Sequence, residues 1–376
     1  MVLSRRSSEK GFKDPSRAMN LAENNMERKE LSMRFKVVNT MATPGIGYGE
    51  ELLEPFDAIL IAGQWFTEDD LISHTKDADA VICASPGQPW NQRVVSALSR
   101  CRILATMSIG YDRIHLETAD KIGLAVTNLP DFCIDEVSSQ TIAFIMALGR
   151  RLFPLDRAVR EHQPHLAPAN RKGLADHAHP IFRMRDQTLG IVGLGKIGTA
   201  VALKARGLGM RVIAHDPYVL GGIMLSRGVE PVGFDTLLHN SDYISINADL
   251  NEETRGMFGQ EEFRKMKPTC YLINTARGEI VQQAALLVAL RDGIIAGAGL
   301  DVTEDEPIAA ENPILKMPNV IFTGHSAWYS TTSDSASELW HKPMTQVVMA
   351  LKGEWPTYAV NPEIKKLWLE KWGRKA

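Results

Sequence analysis

Cysteine is scarce in this sequence, and no two cysteines have the spacing of a metal site. The four that occur lie far apart, in or beside apolar runs: Cys83, Cys101, Cys133 and Cys270. Buried thiols in a reducing compartment are therefore favoured over disulfides or a zinc site. The chain also has a Pro- and His-rich segment, but no acidic or cysteine partner has ligand spacing with its histidines, His162, His165, His177 and His179. We predict no metal site.

The sequence also lacks an excess of charge and a long apolar run. Its 42 basic and 45 acidic residues give a net charge of -3, which offers no electrostatic reason to expect nucleic acid or an anionic membrane surface as a partner. No run is long enough to span a bilayer, and no signal-peptide core is present. We therefore expect a cytoplasmic protein. Its 376 residues, 44% of them hydrophobic, suggest an ordinary enzyme of two domains.

The first third of the chain predicts a polar extension followed by an α/β domain. Residues 1–33 are charged, without periodicity, and too rich in acids for a transit peptide. From residue 34 to 130, apolar strand-like runs alternate with helical patterns, which favours a parallel sheet with helices on both faces. The predicted strands begin at Phe35, Ala58, Ala80, Ile103 and Leu124.

A second alternating block follows a long helical stretch from Asp135 to His162. Asp131 or Asp135 is expected to cap this helix, and Pro154 to kink it or to end its first part. Strands are predicted near 188–192, 211–215, 243–247, 270–274, 296–301 and 319–323, so residues 131–330 form a second doubly wound sheet. After Ser330 one helix and a Trp- and Lys-bearing tail remain. We expect this part, 331–376, to return to the first domain and make it discontinuous.

The best-defined motif of the chain is a glycine turn between the first strand of the second block and its helix. The segment from Thr188 to Arg206 contains Gly193, Gly195 and Gly198 in the order G-x-G-x-x-G. In a dinucleotide-binding turn the first glycine permits the tight turn, the second lets the backbone approach a pyrophosphate, and the third lets the helix sit close on the strand. A glycine-rich turn without function is the alternative, but the flanking strand and helix favour the dinucleotide.

Asp216 ends the next strand, close to the spacing at which a carboxylate accepts hydrogen bonds from the adenosine ribose. A carboxylate there would repel a 2′-phosphate, so NAD is favoured over NADP. The alternative is a plain turn in Asp216-Pro217-Tyr218.

Three later strand ends carry an arginine, a carboxylate and a histidine that could act together. Arg277, Glu306 and His325 follow strands that share one direction, and so should lie on the same rim as the glycine turn. Arg277 could bind a carboxylate or polarise a carbonyl through two parallel hydrogen bonds. His325 could move the proton on oxygen while hydride moves on carbon, with Glu306 favouring the protonated ring and fixing its orientation. Each could alone be an ordinary surface or turn residue.

Two strand ends of the first block could contact a ligand, because ligands of such sheets bind at the carboxyl ends of the strands. One is Ser85-Pro-Gly-Gln, and the other contains Ile109 and Gly110, whose amides could hold a carboxylate. A simple turn is an equally good interpretation of these residues alone.

Taken together, these motifs resemble the D-isomer-specific 2-hydroxyacid dehydrogenase family. They are the Thr188–Gly198 turn, Asn274 to Gly278, Gly299 to Pro307, and His325. The segments Asn128 to Glu136 and His325 to Ser330 are most similar to the branch containing the C-terminal-binding proteins. The resemblance implies a Rossmann NAD-binding domain inserted into a discontinuous, flavodoxin-like substrate domain, and a homodimer.

The resemblance also implies the residues of the site. Arg277, Glu306 and His325 would be catalytic; Ser85, Ile109, Gly110, Arg277 and Trp328 would contact the 2-oxo or 2-hydroxy acid. The expected NAD contacts are Thr141, Val192, Gly193, Leu194, Gly195, Lys196, Ile197, Gly198, Asp216, Pro217, Ala248, Asp249, Thr254, Thr275, Ala276 and Asp301. Asp301 would contact the nicotinamide amide.

The chain departs from the family pattern at two places. Asn247-Ala-Asp249-Leu stands where the family often has His-x-Pro-Leu, and Gly324 stands where a proline usually precedes the histidine. Two other functions stay open: an NAD(H)-sensing interaction protein similar to the co-regulators of that branch, and a phosphite dehydrogenase. The intact catalytic set favours a dehydrogenase, since a sensor needs only the region from Gly193 to Asp216, and Trp328 suggests an organic side chain larger than phosphite.

Overall fold

The computed structural model describes residues 35–43, 45–85, 87–162, 180–331 and 333–374, and of these it describes only the backbone at 162 and 333–338. The chain divides into two compact units. The first comprises residues up to Pro130 together with Ser337 onward, and the second runs from Asp131 to Ala336. Residues 331–336 thus fall in the second unit, six residues beyond the predicted boundary. The predicted N-terminal extension lies outside the described residues.

The first unit is built on a five-stranded parallel sheet in the order β2-β1-β3-β4-β5, the flavodoxin-like order predicted. Its strands are β1 Phe35–Asn39, β2 Ala58–Ala62, β3 Ala80–Cys83, β4 Ile103–Thr106 and β5 Ala125–Thr127. The helices between them are α1 Glu68–Thr75, α2 Gln92–Ser96 and α3 Leu116–Ile122. The start of α1 follows from its sequence: the Thr67 hydroxyl accepts the N–H of Asp70, and three acidic residues occupy the first turn.

The C-terminal tail packs on this first sheet. It contains the later part of α11 Ser333–Leu351, a 3-10 turn Pro362–Ile364 and α12 Lys365–Trp372. The Trp368 indole donates to the carbonyl of Arg102 at 2.7 Å. The Arg102 guanidinium lies between the rings of Phe35 and Trp372, 4.8 and 4.9 Å from their centroids. The tail is therefore part of the first unit's core.

The second unit is built on a seven-stranded parallel sheet in the order β12-β11-β10-β9-β6-β7-β8. The six predicted strands are β6 Thr188–Val192, β7 Arg211–His215, β9 Tyr243–Ile246, β10 Tyr271–Asn274, β11 Gly297–Leu300 and β12 Val320–Phe322. The two-residue β8, Glu230–Pro231, is exposed and contains no apolar run, so the sequence pattern did not predict it. The order turns back at β6 and β9, as in a Rossmann sheet.

Helices cover both faces of this second sheet. They are α4 Ile134–Gly149, α5 Leu152–His162, α6 Lys196–Gly207, α7 Gly221–Ser226, α8 Phe234–Asn240, α9 Gln260–Lys265 and α10 Gln283–Arg291, with 3-10 turns at Met184–Asp186, Gly278–Ile280 and Pro313–Lys316. Successive residues of β6 pack into two different cores: Ile191 lies in one and Val192 in the other. Both faces are thus buried.

The long helical stretch differs from its prediction at its start, whereas its break before Pro154 agrees with the prediction that this proline ends its first part. Cys133, with φ of 48°, occupies the N-cap of α4 without a side-chain hydrogen bond, so neither Asp131 nor Asp135 caps it. The helix ends at Gly149 and Arg151 has φ of 51°, so the break comes before Pro154. The physical reason is that a proline has no N–H for the carbonyl four residues earlier and crowds it.

Candidate active site

The glycine turn has the geometry expected of its first and third glycines. Gly193 has φ of 88°, and a Cβ there would lie 2.6 Å from the backbone nitrogen of Ala248. A Cβ on Gly198 would overlap the carbonyl oxygen of Gly193. Both glycines are therefore required by the protein's own backbone packing.

Gly195 is different, because nothing in the described part of the chain requires it to be glycine. Its φ of -70° suits any residue, and no atom of the described residues lies within 4 Å of the position of a Cβ. It precedes Lys196 and Ile197, which open the twelve-residue helix α6. Open space at this glycine, next to a helix N-terminus, fits the close approach of a pyrophosphate. The turn therefore fits a dinucleotide.

Asp216 reaches back from the end of β7 to the glycine turn. Its carboxylate accepts the N–H of Leu194 at 2.7 Å and that of Tyr218 at 2.9 Å. Each oxygen has a second lone pair, and the residue is half-buried, so hydroxyl groups can still be bound. Pro217, next along this turn, is exposed.

The backbone N–H and carbonyl of Leu194 both form hydrogen bonds within the protein. Its side chain is fully buried, its N–H is taken by Asp216, and its carbonyl accepts from Arg227 at 2.8 Å. Both backbone polar groups of Leu194 thus have partners within the protein, and its predicted cofactor contact stays a prediction. Arg227, which also donates to Thr199 at 2.9 Å, is a supporting residue that sequence reasoning missed.

The loop after β9 is the predicted contact that departs from the family pattern. Ala248 touches the Gly193 turn, while the Thr254 hydroxyl donates to the carbonyl of Asp249 at 2.6 Å and closes the loop. The Asn247 amide nitrogen donates to Ser245, and its buried oxygen has no hydrogen-bond partner among the described residues. A buried acceptor beside the glycine turn suits a hydroxyl-bearing ligand.

Thr141 of α4 and Thr275, which follows β10, meet directly. Their hydroxyl oxygens lie 3.0 Å apart, and the Thr141 hydroxyl also donates to the carbonyl of Val137 at 2.9 Å. The Ala276 amide is held by the Asn274 side chain at 3.0 Å. These contacts fix the end of β10 and bring three predicted cofactor contacts to one place.

Arg277 follows this strand end and is half-buried. One of its Nη atoms donates to the carbonyl of Ala276 at 2.9 Å, which directs the planar guanidinium. Gly278 next to it lies so close to the backbone of Thr303 that a Cβ would overlap it. The close packing fixes the two strand ends that carry Arg277 and Glu306.

His325 and Glu306 form a hydrogen-bonded pair. The ring Nδ1 lies 2.7 Å from Glu306 Oε2, and about 30% of the His325 side chain is exposed. Burial acts to raise the pKa of Glu306, but the hydrogen bond and charge of His325, the N–H of Thr303 and the charge of Arg277 outweigh it. The net pKa of Glu306 is lowered. Glu306 is therefore a carboxylate at neutral pH, and it occupies Nδ1 of the ring and not Nε2.

Asp301 holds the loop that carries His325. It is 1% exposed; Oδ1 accepts from the Thr323 hydroxyl at 2.5 Å and the Ser326 amide at 2.9 Å, and Oδ2 accepts from the Ala327 amide at 3.0 Å. Its carbonyl accepts the N–H of His325. These contacts give Asp301 a positioning role, and its predicted contact with the nicotinamide amide stays a prediction.

The backbone at the histidine explains one departure from the family pattern. Gly324 has φ of 62° and His325 has φ of 57°, both in the left-handed region. A proline cannot adopt a positive φ, so the family's usual residue before the histidine is incompatible with this loop. Left-handed backbone at a non-glycine residue is held by its surroundings, here by Asp301.

Trp328 forms an apolar surface next to the histidine. Its indole N–H donates to the carbonyl of His325 at 3.0 Å, and 39% of the residue is exposed. The ring of Phe132, at the start of α4, lies 6.4 Å away between centroids, and Tyr329 packs edge-on at 5.7 Å. Phe132 was not predicted; only its place in the segment quoted for the resemblance pointed to it.

In the first unit, Ile109 and Gly110 lie in a loop whose carbonyl groups accept hydrogen bonds from side chains. The Ile109 carbonyl accepts from Asn128 at 2.7 Å and that of Gly110 from the Ser108 hydroxyl at 2.7 Å. Within the described residues, neither amide donates to a protein group. Ser85 is 1% exposed, and its hydroxyl has no partner in the described part of the chain. Ligand contacts of these three residues stay predictions.

The thiols and histidines give no sign of another centre. All four cysteines are buried, and burial raises their pKa values, those of Cys101 and Cys133 to about 12. Across residues 35–374, apart from those not described, no three His, Cys, Asp or Glu side chains cluster as metal ligands, and no helix is long and apolar enough to cross a membrane. The histidines at 165, 177 and 179 and the side chain of His162 lie outside the described part.

Known proteins resemble this chain in sequence and in structure. A family model described as the NAD binding domain of D-isomer specific 2-hydroxyacid dehydrogenase matches residues 142–327. A glyoxylate reductase of Korarchaeum cryptofilum is 38% identical over 301 residues, covering 79% of this chain and 87% of that protein.

Two solved structures have the same fold along most of the chain. One is D-lactate dehydrogenase of Aquifex aeolicus, complexed with NAD and lactic acid, with a TM-score of 0.73, 28% identity, and coverage of 85% of this chain and 96% of that one. The other is D-mandelate dehydrogenase of Rhodotorula graminis, with a TM-score of 0.75, 26% identity, and coverage of 87% and 98%. The predicted branch, homodimer and cytoplasmic location stay predictions. With such similarity over most of its length, the chain belongs to the D-isomer specific 2-hydroxyacid dehydrogenase family, and its second unit contains the family's NAD-binding domain.

Proposed function

We propose that this enzyme interconverts a 2-oxo acid and a D-2-hydroxy acid, with Arg277, Glu306 and His325 as its catalytic residues. The observation that carries the proposal is the 2.7 Å hydrogen bond between His325 Nδ1 and Glu306, in a loop fixed by Asp301. A histidine held in this way by a carboxylate is suited to general acid and base catalysis.

In the reduction, His325 donates its proton from Nε2 to the carbonyl oxygen of the substrate. When bound, the cofactor would supply the hydride to C2 as NADH in this direction and accept it as NAD in the oxidation. Glu306 stabilises the protonated ring before transfer and keeps its orientation afterwards. Arg277 binds the substrate and polarises its carbonyl, using donors that a lysine could not place in the same plane. In the oxidation, the neutral ring accepts the hydroxyl proton.

Each unit offers candidate substrate contacts of its own. The amides of Ile109 and Gly110 would donate to a carboxylate, since their carbonyls are held and their N–H groups have no acceptor among the described residues. Ser85 would be a further contact from the first unit. Trp328, backed by Phe132, would contact the side chain of the acid. An aromatic wall favours an acid with an apolar side chain over glyoxylate, the substrate named for the Korarchaeum relative.

NADH oxidation against a panel of acids tests the proposal. The panel holds glyoxylate, hydroxypyruvate, pyruvate, phenylpyruvate and 4-methylthio-2-oxobutyrate, with phosphite plus NAD run in the opposite direction. Turnover of a 2-oxo acid, reduced at least about a hundredfold in Arg277→Ala, is expected. Turnover of phosphite alone would instead support a phosphite dehydrogenase. No turnover of any compound in the panel, with NADH still bound tightly, would favour a nucleotide sensor.

A further inference from the structure

A hydrogen bond between two exposed side chains spans the carboxyl end of β6. The Tyr218 hydroxyl donates to Glu253 Oε2 at 2.5 Å, and the two residues are 35 positions apart. Tyr218 follows β7, and Glu253 lies in the loop after β9. In the sheet, β7 and β9 are the two neighbours of β6. The bond therefore joins the loops on either side of the strand that leads into the glycine turn.

Both residues are tied into their own loops. The Tyr218 N–H donates to Asp216 at 2.9 Å, and the Glu253 N–H donates to the Asn251 side chain at 2.9 Å. The pKa of the Tyr218 phenol is raised by its hydrogen bond with Glu253, by the charge of Glu253, and further by the charge of Asp216. The phenol thus lies near two carboxylates, of which only Asp216 was a predicted cofactor contact.

We infer that Glu253, held by Tyr218, is a second determinant that rejects a 2′-phosphate and so selects NAD over NADP. The inference rests on the proposed contact of Asp216 with the adenosine ribose. A dinucleotide bound on the glycine turn places its adenosine over β6 and β7. A second carboxylate fixed across the same crevice repels a 2′-phosphate through space. Removing Asp216 alone would therefore leave part of the preference for NAD.

The test measures the dissociation constants of NADH and NADPH by fluorescence titration, and compares their ratio among variants. In Glu253→Gln, the preference for NADH should fall about fivefold, because the charge is lost while an acceptor for Tyr218 remains. The matched control is Glu252→Gln, an exposed neighbour with the same change in charge, for which a change below about twofold is expected. The Glu253→Gln effect should shrink at about 0.5 M salt.

A double-mutant cycle separates the charge from its positioning. Tyr218→Phe should reduce the preference about twofold, and should add nothing in the Glu253→Gln background, since the phenol acts only through the carboxylate. Equal losses of NADH and NADPH binding, equal effects of Glu253→Gln and Glu252→Gln, or additive effects of the two variants would overturn the inference.

A separate variant tests the contact of Asp216 with the adenosine ribose, on which this inference rests. Asp216→Ala should relax the NADH preference, and an unchanged ratio would remove Asp216 from the ribose contact whatever Glu253 does. A relaxed ratio in Asp216→Ala, with no response to Glu253→Gln, would overturn only the second determinant. Because the readout is binding, neither outcome depends on the identity of the oxo acid.

Discussion

The two sheets of this protein are both parallel, yet the loops after their strands carry different chemistry. In the second unit, three strand ends bear Arg277, Glu306 and His325; His325 bonds to Glu306, and the charge of Arg277 helps to lower the pKa of Glu306. In the first unit, the loop after β3 has no charged side chain. The charged residues of the loop after β4, Asp112 and Arg113, follow Ile109 and Gly110, and the Ser108 side chain bonds to backbone. Gln88 donates to the carbonyls of Thr40 and Trp65.

The difference shows that the fold supplies a place for chemistry and the side chains decide its kind. Charged side chains in the second unit are suited to moving a proton. The first unit's loops are held by their own hydrogen bonds and offer amides, which can bind an anion but cannot exchange a proton with it. We therefore expect changes at His325 and Glu306 to affect turnover, and changes in the first unit's loops to affect substrate affinity.

The largest effect is expected from His325→Ala. Turnover should fall about a thousandfold, because the proton donor is lost, while NADH affinity changes little. Steady-state kinetics and fluorescence titration give the two quantities. His239→Ala, at an exposed position of helix α8, removes a histidine from the same unit and should leave both unchanged. Unchanged turnover in His325→Ala would remove this residue from the mechanism and end the contrast between the units.

Two glycines of one turn allow a sharper test within the second unit. Gly195→Ala places a methyl group in open space, so the free energy of unfolding should stay within about 0.5 kcal/mol while NADH affinity falls at least about tenfold. Gly198→Ala overlaps the Gly193 carbonyl and should destabilise the fold by about 1–3 kcal/mol. Thermal unfolding and NADH titration measure both. If the Gly195→Ala variant is stable and binds NADH with unchanged affinity, the pyrophosphate does not bind next to Gly195.

The sequence predicted those parts of the fold and site that depend on local pattern. Eleven strands followed from apolar runs, and the glycine turn followed from three residues within six positions. Contacts between distant side chains were not predictable in this way. Arg227 supports a turn 33 residues earlier, and Phe132 meets Trp328 almost 200 residues later. Their partners are set by the packing of strands and helices, for which neither residue carries a local signal.

Backbone conformation was also beyond the sequence pattern. Gly324 was readable as a departure from the family, but its positive φ, which excludes proline, was not. The same holds for Cys133, whose left-handed backbone starts α4 without the aspartate cap that the sequence favoured. In both places the surrounding structure determines φ, since no preference of a single residue does so.

Glu306→Gln should change the pH dependence of the second unit's chemistry. The lowered pKa of Glu306 keeps it ionised throughout the range in which a histidine titrates, and its charge stabilises the protonated ring. Without that charge the protonated ring is less stable, so kcat/KM for reduction should fall at a lower pH than in the parent enzyme. The loss near pH 8 should be about tenfold. A pH profile measures this, and an unshifted alkaline limb would mean that Glu306 does not act on the ring's proton.

The smallest effect is expected in the first unit, from Asn128→Ala. The variant frees the carbonyl of Ile109, which the Asn128 amide now holds at 2.7 Å, and lets the loop's amides turn away from a bound carboxylate. One hydrogen bond of this kind contributes about 1 kcal/mol, so KM for the oxo acid should rise about fivefold with kcat nearly unchanged. Asn91→Ala, which removes the cap of α2 in the same unit, controls for lost stability, since it should lower the melting temperature without moving KM. A fall in kcat with KM unchanged in Asn128→Ala would contradict the division of labour argued above, because the first unit would then act on the transition state and not on substrate affinity alone.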